Sequence, residues 1–412
     1  MSKIRTAMGV VGVLCLAASC AVAAETTSPT TAAPAAVELK VEDLLKRVGD
    51  LERKAKEQEK QPAPVTVATK DSKIKIDGRI FIGAFQTGSE GSFPDTTMDI
   101  PDAKLRFTAT LSPNLTIVNR FSNSRAASAG FDYFYADLNN WGGAVPGHTL
   151  RIGKFKIDVG QETWSDNPVE SILISNSVSH ISGYDEGINL RGPLGQNATY
   201  SLALMNGNKG VSSAVGGLAW SAKIGLPVSS QGYISASYLQ TGDLTKPDAT
   251  LDESDFNIAE ITSAPTGATG WKRRLWEVDA NYGYGSTGVK SVVGSAADPR
   301  FQVAAAYGQF TDDAVGAADR AGKYWFVEGL VNASPRIYLA SRYSTVSLDG
   351  GMTAKLGKSP VAVNEYNRWS IGAGYRLTPL AHLKLEYSRN MTSGGASEPD
   401  LDQISLGLAT KF

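Results

Sequence analysis

The chain has 412 residues, a hydrophobic content of 42% and a formal charge of −1. Mean hydropathy is −0.15, and no apolar run reaches the ~18 residues a spanning helix needs, which excludes a helical membrane protein. Balanced charge argues against a nucleic-acid partner, which selects a basic excess or patch. The 42 glycines and 15 tyrosines favour strands and tight turns.

The first residues read as an export signal over residues 1–24. Lys3 and Arg5 form a positive start, Met8 to Ala18 an apolar core, and Ala21 to Ala24 a run of small residues suited to cleavage. Both cysteines, Cys15 and Cys20, fall inside it, so no disulfide is expected in the processed chain. Ala17-Ala-Ser-Cys20 also resembles a lipoprotein processing site, which leaves lipidation of Cys20 as an alternative.

Residues 25–36 are rich in Thr, Ala and Pro and read as a spacer. Over residues 37–60 the period becomes helical. Val37, Val41, Leu44, Val48, Leu51 and Ala55 step by four and three, as the seam of a coiled coil does, and the remaining positions are crowded with charge. A lone amphipathic helix is the alternative. Residues 61–72, which open on Gln61-Pro-Ala-Pro64, form a linker.

From residue 73 to 412 the period is two. Ile74, Ile76, Ile80 and Ile82 alternate with Lys75, Asp77, Arg79 and Phe81, and Trp276, Val278, Ala280 and Tyr282 alternate with Glu277, Asp279 and Asn281. Successive strand side chains take opposite faces, so each segment is apolar on one side and polar on the other. About sixteen such segments fit, many near the ~9–11 residues of a tilted spanning strand, and long and short connections alternate between them. The exception is 286–298, which is long where a short turn is expected. The expected fold is all-β: a transmembrane antiparallel barrel of about sixteen strands, preceded by a short α-helical coiled coil. Tyr133, Tyr135, Trp141, Trp220, Tyr238, Trp276, Trp325 and Trp369 are expected at the headgroup girdles.

In such a barrel the polar face lines the lumen. The expected pore-lining bases include Lys104, Arg106, Arg120, Arg151, Arg191, Lys223, Arg342, Arg368 and Arg376, joined by Lys75, Arg79 and Lys384. They outnumber the inward acids Asp77, Asp137, Glu277, Asp279, Glu328 and Glu386. Rings of bases favour anions; the alternative is that these charges pair across strands and only hold the wall. Residues 158–183 lack any strand or helix period, and connections that long are usually functional. Trp164, Asp166, Asn167 and Glu170 are its candidate constriction residues.

Ala103-Lys-Leu-Arg-Phe107, the strand from Leu150 to Gly160 followed by Gln161-Glu162, and Gly187-Ile-Asn-Leu-Arg-Gly-Pro-Leu194 resemble the phosphate-selective porin O/P family. The layout of signal, coiled coil, linker, barrel and terminal aromatic is similar too. The resemblance implies a trimeric outer-membrane porin whose third long loop enters the lumen. It also implies that Phe412 is a signal to the barrel-assembly machinery. Asp158 departs from the proline usual in that family, and its phosphate-binding lysine cluster is not evident, so phosphate specificity is not carried over.

The chain offers only His148, His180 and His382, with no nucleophile elbow and no metal-ligand spacing. The expectation is therefore a passive channel for small anionic or neutral solutes, embedded in outer-membrane lipid, without enzyme activity or cofactor. A structural role, as a cell-wall tether or a sheath for an electron-carrying partner, is the alternative.

Overall fold

The computed structural model describes residues 65–68, 72–123, 130–165, 167–181, 183–207, 217–245, 265, 267–283, 300–355, 360–394 and 400–412. The expected signal, spacer and coiled-coil seam, and Asp166, lie outside these residues.

Among the described residues sixteen strands form the barrel. They are β1 (Lys73–Thr87), β2 (Thr97–Ser112), β3 (Leu115–Ser122), β4 (Gly130–Asn139), β5 (Thr149–Lys156), β6 (Tyr184–Leu194), β7 (Ala198–Met205) and β8 (Ala219–Pro227). There follow β9 (Gly232–Gln240), β10 (Gly270–Tyr282), β11 (Phe301–Val315), β12 (Arg320–Asn332), β13 (Ile337–Lys355), β14 (Pro360–Thr378), β15 (Ala381–Ser393) and β16 (Gln403–Lys411). Each pairs antiparallel with the next, and β16 closes on β1 from Gln403 opposite Thr87 to Lys411 opposite Arg79. Closure leaves no free edge between these two ends of the chain. Two further short strands sit on the sheet: Val65–Ala68 on β1 and Leu244–Thr245 on β10.

Burial is inverted relative to a soluble protein. Ile152, Ile188, Leu202, Ile224, Leu339, Ile371, Leu385 and Leu406 point outward and are exposed, while Arg273, Glu277, Asp279, Glu328, Arg342 and Glu386 point inward and are buried. A continuous apolar outer face of this kind is what a lipid-embedded barrel presents. Trp220 with Tyr238, Trp276 with Tyr307 and Trp325 with Tyr343 form ring pairs on that outer face. Tyr133 and Tyr135 correct the expected girdle. They face the lumen, where Arg120 lies 4.3 Å from the Tyr133 ring centroid and Arg151 lies 3.6 Å from that of Tyr135.

The wall is uneven. β3, β5 and β7 have 8 residues each, whereas β13 and β14 have 19. At the usual tilt and rise, 8 residues climb about 19 Å and 19 residues about 45 Å. The alternation of long and short connections predicts loops over 312–322 and 348–364. Instead β11 runs on to Val315, β12 starts at Arg320, and β13 and β14 extend to Lys355 and from Pro360. Hairpin pairing satisfies their backbone groups, which a loop would leave to solvent. The anomalous 286–298 connection lies outside the described residues.

The interior core is built around the third loop. Ile157, Val159, Val178 and Ile181 pack with Leu239, Leu275, Phe310, Val346 and Tyr366. Ile172 and Leu173 pack with Ala304, Phe326, Leu330 and Tyr338. Val169 packs with Phe81, Phe85 and Ala409. Apolar residues on the inner wall, unexpected from a simple polar-in pattern, are there to receive the apolar side of this loop.

Candidate functional site

The third loop leaves β5, crosses the lumen and returns to β6. Its neck is closed by Ile157 N donating to Gly183 O at 3.1 Å. Beyond the neck, Lys223 on β8 donates to Asp158 Oδ1 at 3.1 Å and to Gly160 O at 2.7 Å. Gly160 takes φ 65°, and a Cβ there would run into the Glu277 carboxylate, so both conformation and space call for glycine. Gly160 N donates to Ser237 Oγ at 3.1 Å and Gln161 N to Asp279 Oδ1 at 3.0 Å. Glu162, on the short 3-10 helix Glu162–Ser165, accepts from Ser177 N at 2.9 Å and folds the loop back on itself. That helix also carries Trp164.

The tip is held by the far wall. Asn167 Oδ1 accepts from Val169 N at 3.0 Å, making a local turn. Lys384 on β15 donates to the carbonyls of Pro168 and Ser171, both at 2.5 Å. Glu386 accepts from the backbone N–H of Ile174 and, at 2.9 Å, of Ser175. Arg342 on β13 donates to Ser175 O at 2.7 Å, and Arg368 on β14 to Asn176 O at 3.0 Å. Glu170 pairs with Lys411 at 3.0 Å.

Most of the expected lumenal bases have acid partners. Arg106 pairs with Asp77 at 2.8 Å, Lys104 and Arg120 each with Asp132 at 2.9 Å, and Arg342 with Glu328 at 2.7 Å. Arg151 grips Asp137 through two bonds of 2.7 and 2.9 Å, and Arg191 reaches the same carboxylate at 3.2 Å. Arg376 donates to Asn332 Oδ1 at 2.8 Å near the turn end of β14. Most of the bases thus fall into two groups. Lys223, Arg342, Arg368, Lys384 and Lys411 secure the loop, and Lys104, Arg106, Arg120, Arg151 and Arg191 stand on β2–β6.

Several partners escaped the sequence reading. Asp132 has the parity of an outward residue, but register skips it: Arg120 faces Tyr133 and Phe121 faces Phe131, so a bulge turns Asp132 inward. Asp102 lies on the inward face of β2 and pairs with Arg79 at 2.8 Å. Asp312 stands near the C-terminal end of β11 and binds Arg273 at 2.8 Å and Arg320 at 2.6 Å. Asp158 and Glu162 belong to the aperiodic loop, where spacing carries no facing signal. Of the histidines, His180 lies 3.9 Å from Glu162 inside the barrel, and His148 bonds Pro146 O at 3.0 Å in a turn.

No family model matches the chain, and no curated protein matches it in sequence. Solved structures match its fold. The outer membrane channel DcaP of Acinetobacter baumannii superimposes with a TM-score of 0.58 at 12% identity, over 85% of this chain and 100% of that one. An anion-selective porin from Comamonas acidovorans gives 0.54 at 10% identity over 83% and 100%. A loop L8 deletion mutant of OmpT, an outer membrane protein of Vibrio cholerae, gives 0.56 at 9% identity over 83% and 100%. These likenesses support the broad porin-like class and not the narrower phosphate-selective family. The chain is a sixteen-strand porin-like β-barrel of the bacterial outer-membrane type.

Proposed function

We propose that the protein is an outer-membrane diffusion channel for small hydrophilic solutes with a weak preference for anions. The observation that carries this is the greater exposure of the base in three of the ion pairs on β1–β6. The side chains of Lys75 and Arg106 are 43% and 42% exposed while their shared partner Asp77 is 18% exposed. Arg191 is 31% exposed against 11% for Asp137. Two acids of the loop, Asp158 and Glu170, are held by Lys223 and Lys411. A solute passing Lys75, Arg106 or Arg191 meets the cation before its carboxylate, while Arg79–Asp102, Lys104–Asp132, Arg120–Asp132 and Arg151–Asp137 expose both members about equally; low-dielectric walls focus the field that remains. The charge is mostly compensated, which keeps the preference weak and phosphate specificity out of the proposal.

Homotrimer formation fits the low wall of β3–β5, which on its own is short for a bilayer. One neighbour in fold, OmpT of Vibrio cholerae, was solved in a trimer form. Residues 37–60 would join the copies as a coiled coil after removal of residues 1–24, and Phe412 would address the assembly machinery. A sealed, partner-sheathing barrel is favoured by one observation, the apolar packing of the loop against the inner wall. Liposome swelling separates the two. The channel admits small neutral sugars and admits monocarboxylates faster than amines of equal size, whereas a sealed barrel admits none.

A further inference from the structure

We propose that the short strand Val65–Ala68 is a register stop for closure of the barrel, fixing where the C-terminal strand must end on β1. The observation is a collinear arrangement on one edge. β16 runs antiparallel to β1 with Lys411 opposite Arg79, and Phe412 and Gly78 exchange two backbone bonds of 3.0 Å. The segment Val65–Ala68 runs in the same direction along the same edge, with Val65 opposite Ile76 and Ala68 opposite Lys73. A single β1 position, Asp77, separates the end of one partner from the start of the other.

Closing the barrel poses a register problem that side-chain patterning solves only in part. A slip of one residue would turn the apolar face of β16 into the lumen and is strongly disfavoured, but a slip of two leaves both faces correct. Register at the closing seam sets the shear, and with it strand tilt and bore. The stop blocks a two-residue slip toward the turn end, because Phe412 would then need the place opposite Ile76 that Val65 holds. Timing favours the stop as well. Val65–Ala68 and Lys73–Ile76 are neighbours in sequence and close a small loop, whereas β16 and β1 lie at opposite ends of the chain. Gly78 adds a second mark: a Cβ there would fall 2.5 Å from Phe412 Cζ, so only glycine leaves room for the ring in this register.

Disulfide capture reads the register directly, since directly opposed residues of antiparallel strands lie about 4.5–5.5 Å apart at Cα, within disulfide range. Leu408→Cys is combined either with Ile82→Cys, its observed partner, or with Ile80→Cys, its partner after a two-residue slip. In the otherwise unchanged full chain only the first pair is expected to cross-link. Replacing Val65–Ala68 by Gly-Ser-Gly-Ser is expected to raise the Leu408→Cys/Ile80→Cys product at least tenfold. Val67→Pro, which keeps the length of the linker, should raise it less. A Thr66→Cys/Lys75→Cys disulfide, formed in the full chain and lost with Val67→Pro, reports that the short strand has detached. Detachment with the slipped product unchanged overturns the proposal and leaves the Gly78–Phe412 fit as sufficient. Failure of both variants to form any barrel also overturns it, because a register stop biases closure and does not supply the fold.

Discussion

Arg106 on β2 and Asp77 on β1 face each other inside the barrel, with Nη2 2.9 Å from Oδ2 and Nε 2.8 Å from Oδ1. The pair is asymmetric toward solvent, and the guanidinium is the exposed member. A charge ~4 Å from a passing ion in water is worth about 1 kcal/mol before screening. Arg106→Ser should therefore lower the anion-to-cation permeability ratio roughly two- to fivefold, with a smaller effect at high salt. Reversal potentials at two ionic strengths check this.

Asp137 holds Arg151 and Arg191 together, so its removal has two consequences with different readouts. Breaking a buried ion pair from one side costs roughly 3 kcal/mol or more, so Asp137→Asn should unfold at a lower temperature on heat-modifiability gels. The surviving variant barrel carries two uncompensated bases and should be more anion-preferring than the parent. A stable variant with unchanged selectivity would place this cluster outside the permeation path.

Lys384 donates to two carbonyls at the tip of the third loop. Lys384→Met keeps most of the side-chain volume and removes both bonds. The tip should loosen, and single-channel traces should become noisier with a larger mean conductance. Sugars too large for the parent channel should enter liposomes. Quiet traces of parental conductance would show that Glu386 and the apolar contacts suffice to hold the loop.

Gly374 on β14 lies beneath the ring of Tyr338 on β13, on the inner face of the wall. Gly374→Val should displace that ring and cost about 1–3 kcal/mol, the usual penalty for overpacking, seen as a lower unfolding temperature. Glycine-to-valine changes on open outer-face positions should cost less.

Much of this barrel was legible in its sequence because strand alternation is dictated by lipid outside and water inside. Lys104, Arg106, Arg120 and Arg151 could be assigned to the inner face from parity alone, and the structure puts them there. Two kinds of residue were not legible. Asp132 sits at a bulge, and a bulge reverses parity without changing composition. Asp158, Glu162 and Glu170 sit in an aperiodic loop whose path is set by wall residues far along the chain, such as Lys223 and Lys411. Both gaps concern acids, and these acids outnumber the inward bases Arg273, Arg320 and Lys411 that were missed as well. The sequence alone therefore overstated the positive charge of the lumen, and the three-dimensional pairing reduces it to a surface bias. The apolar inner-wall residues Leu239, Leu275 and Phe310 look like ordinary strand residues until the loop they receive is placed beside them.

The proposed function requires a water-filled passage between the third loop and strands β1–β6. Planar-bilayer recording across a tenfold potassium chloride gradient tests it most directly. Steady single-channel current with a reversal potential displaced modestly to the anion side is expected; a sealed bilayer or a cation-side reversal potential would contradict the proposed channel.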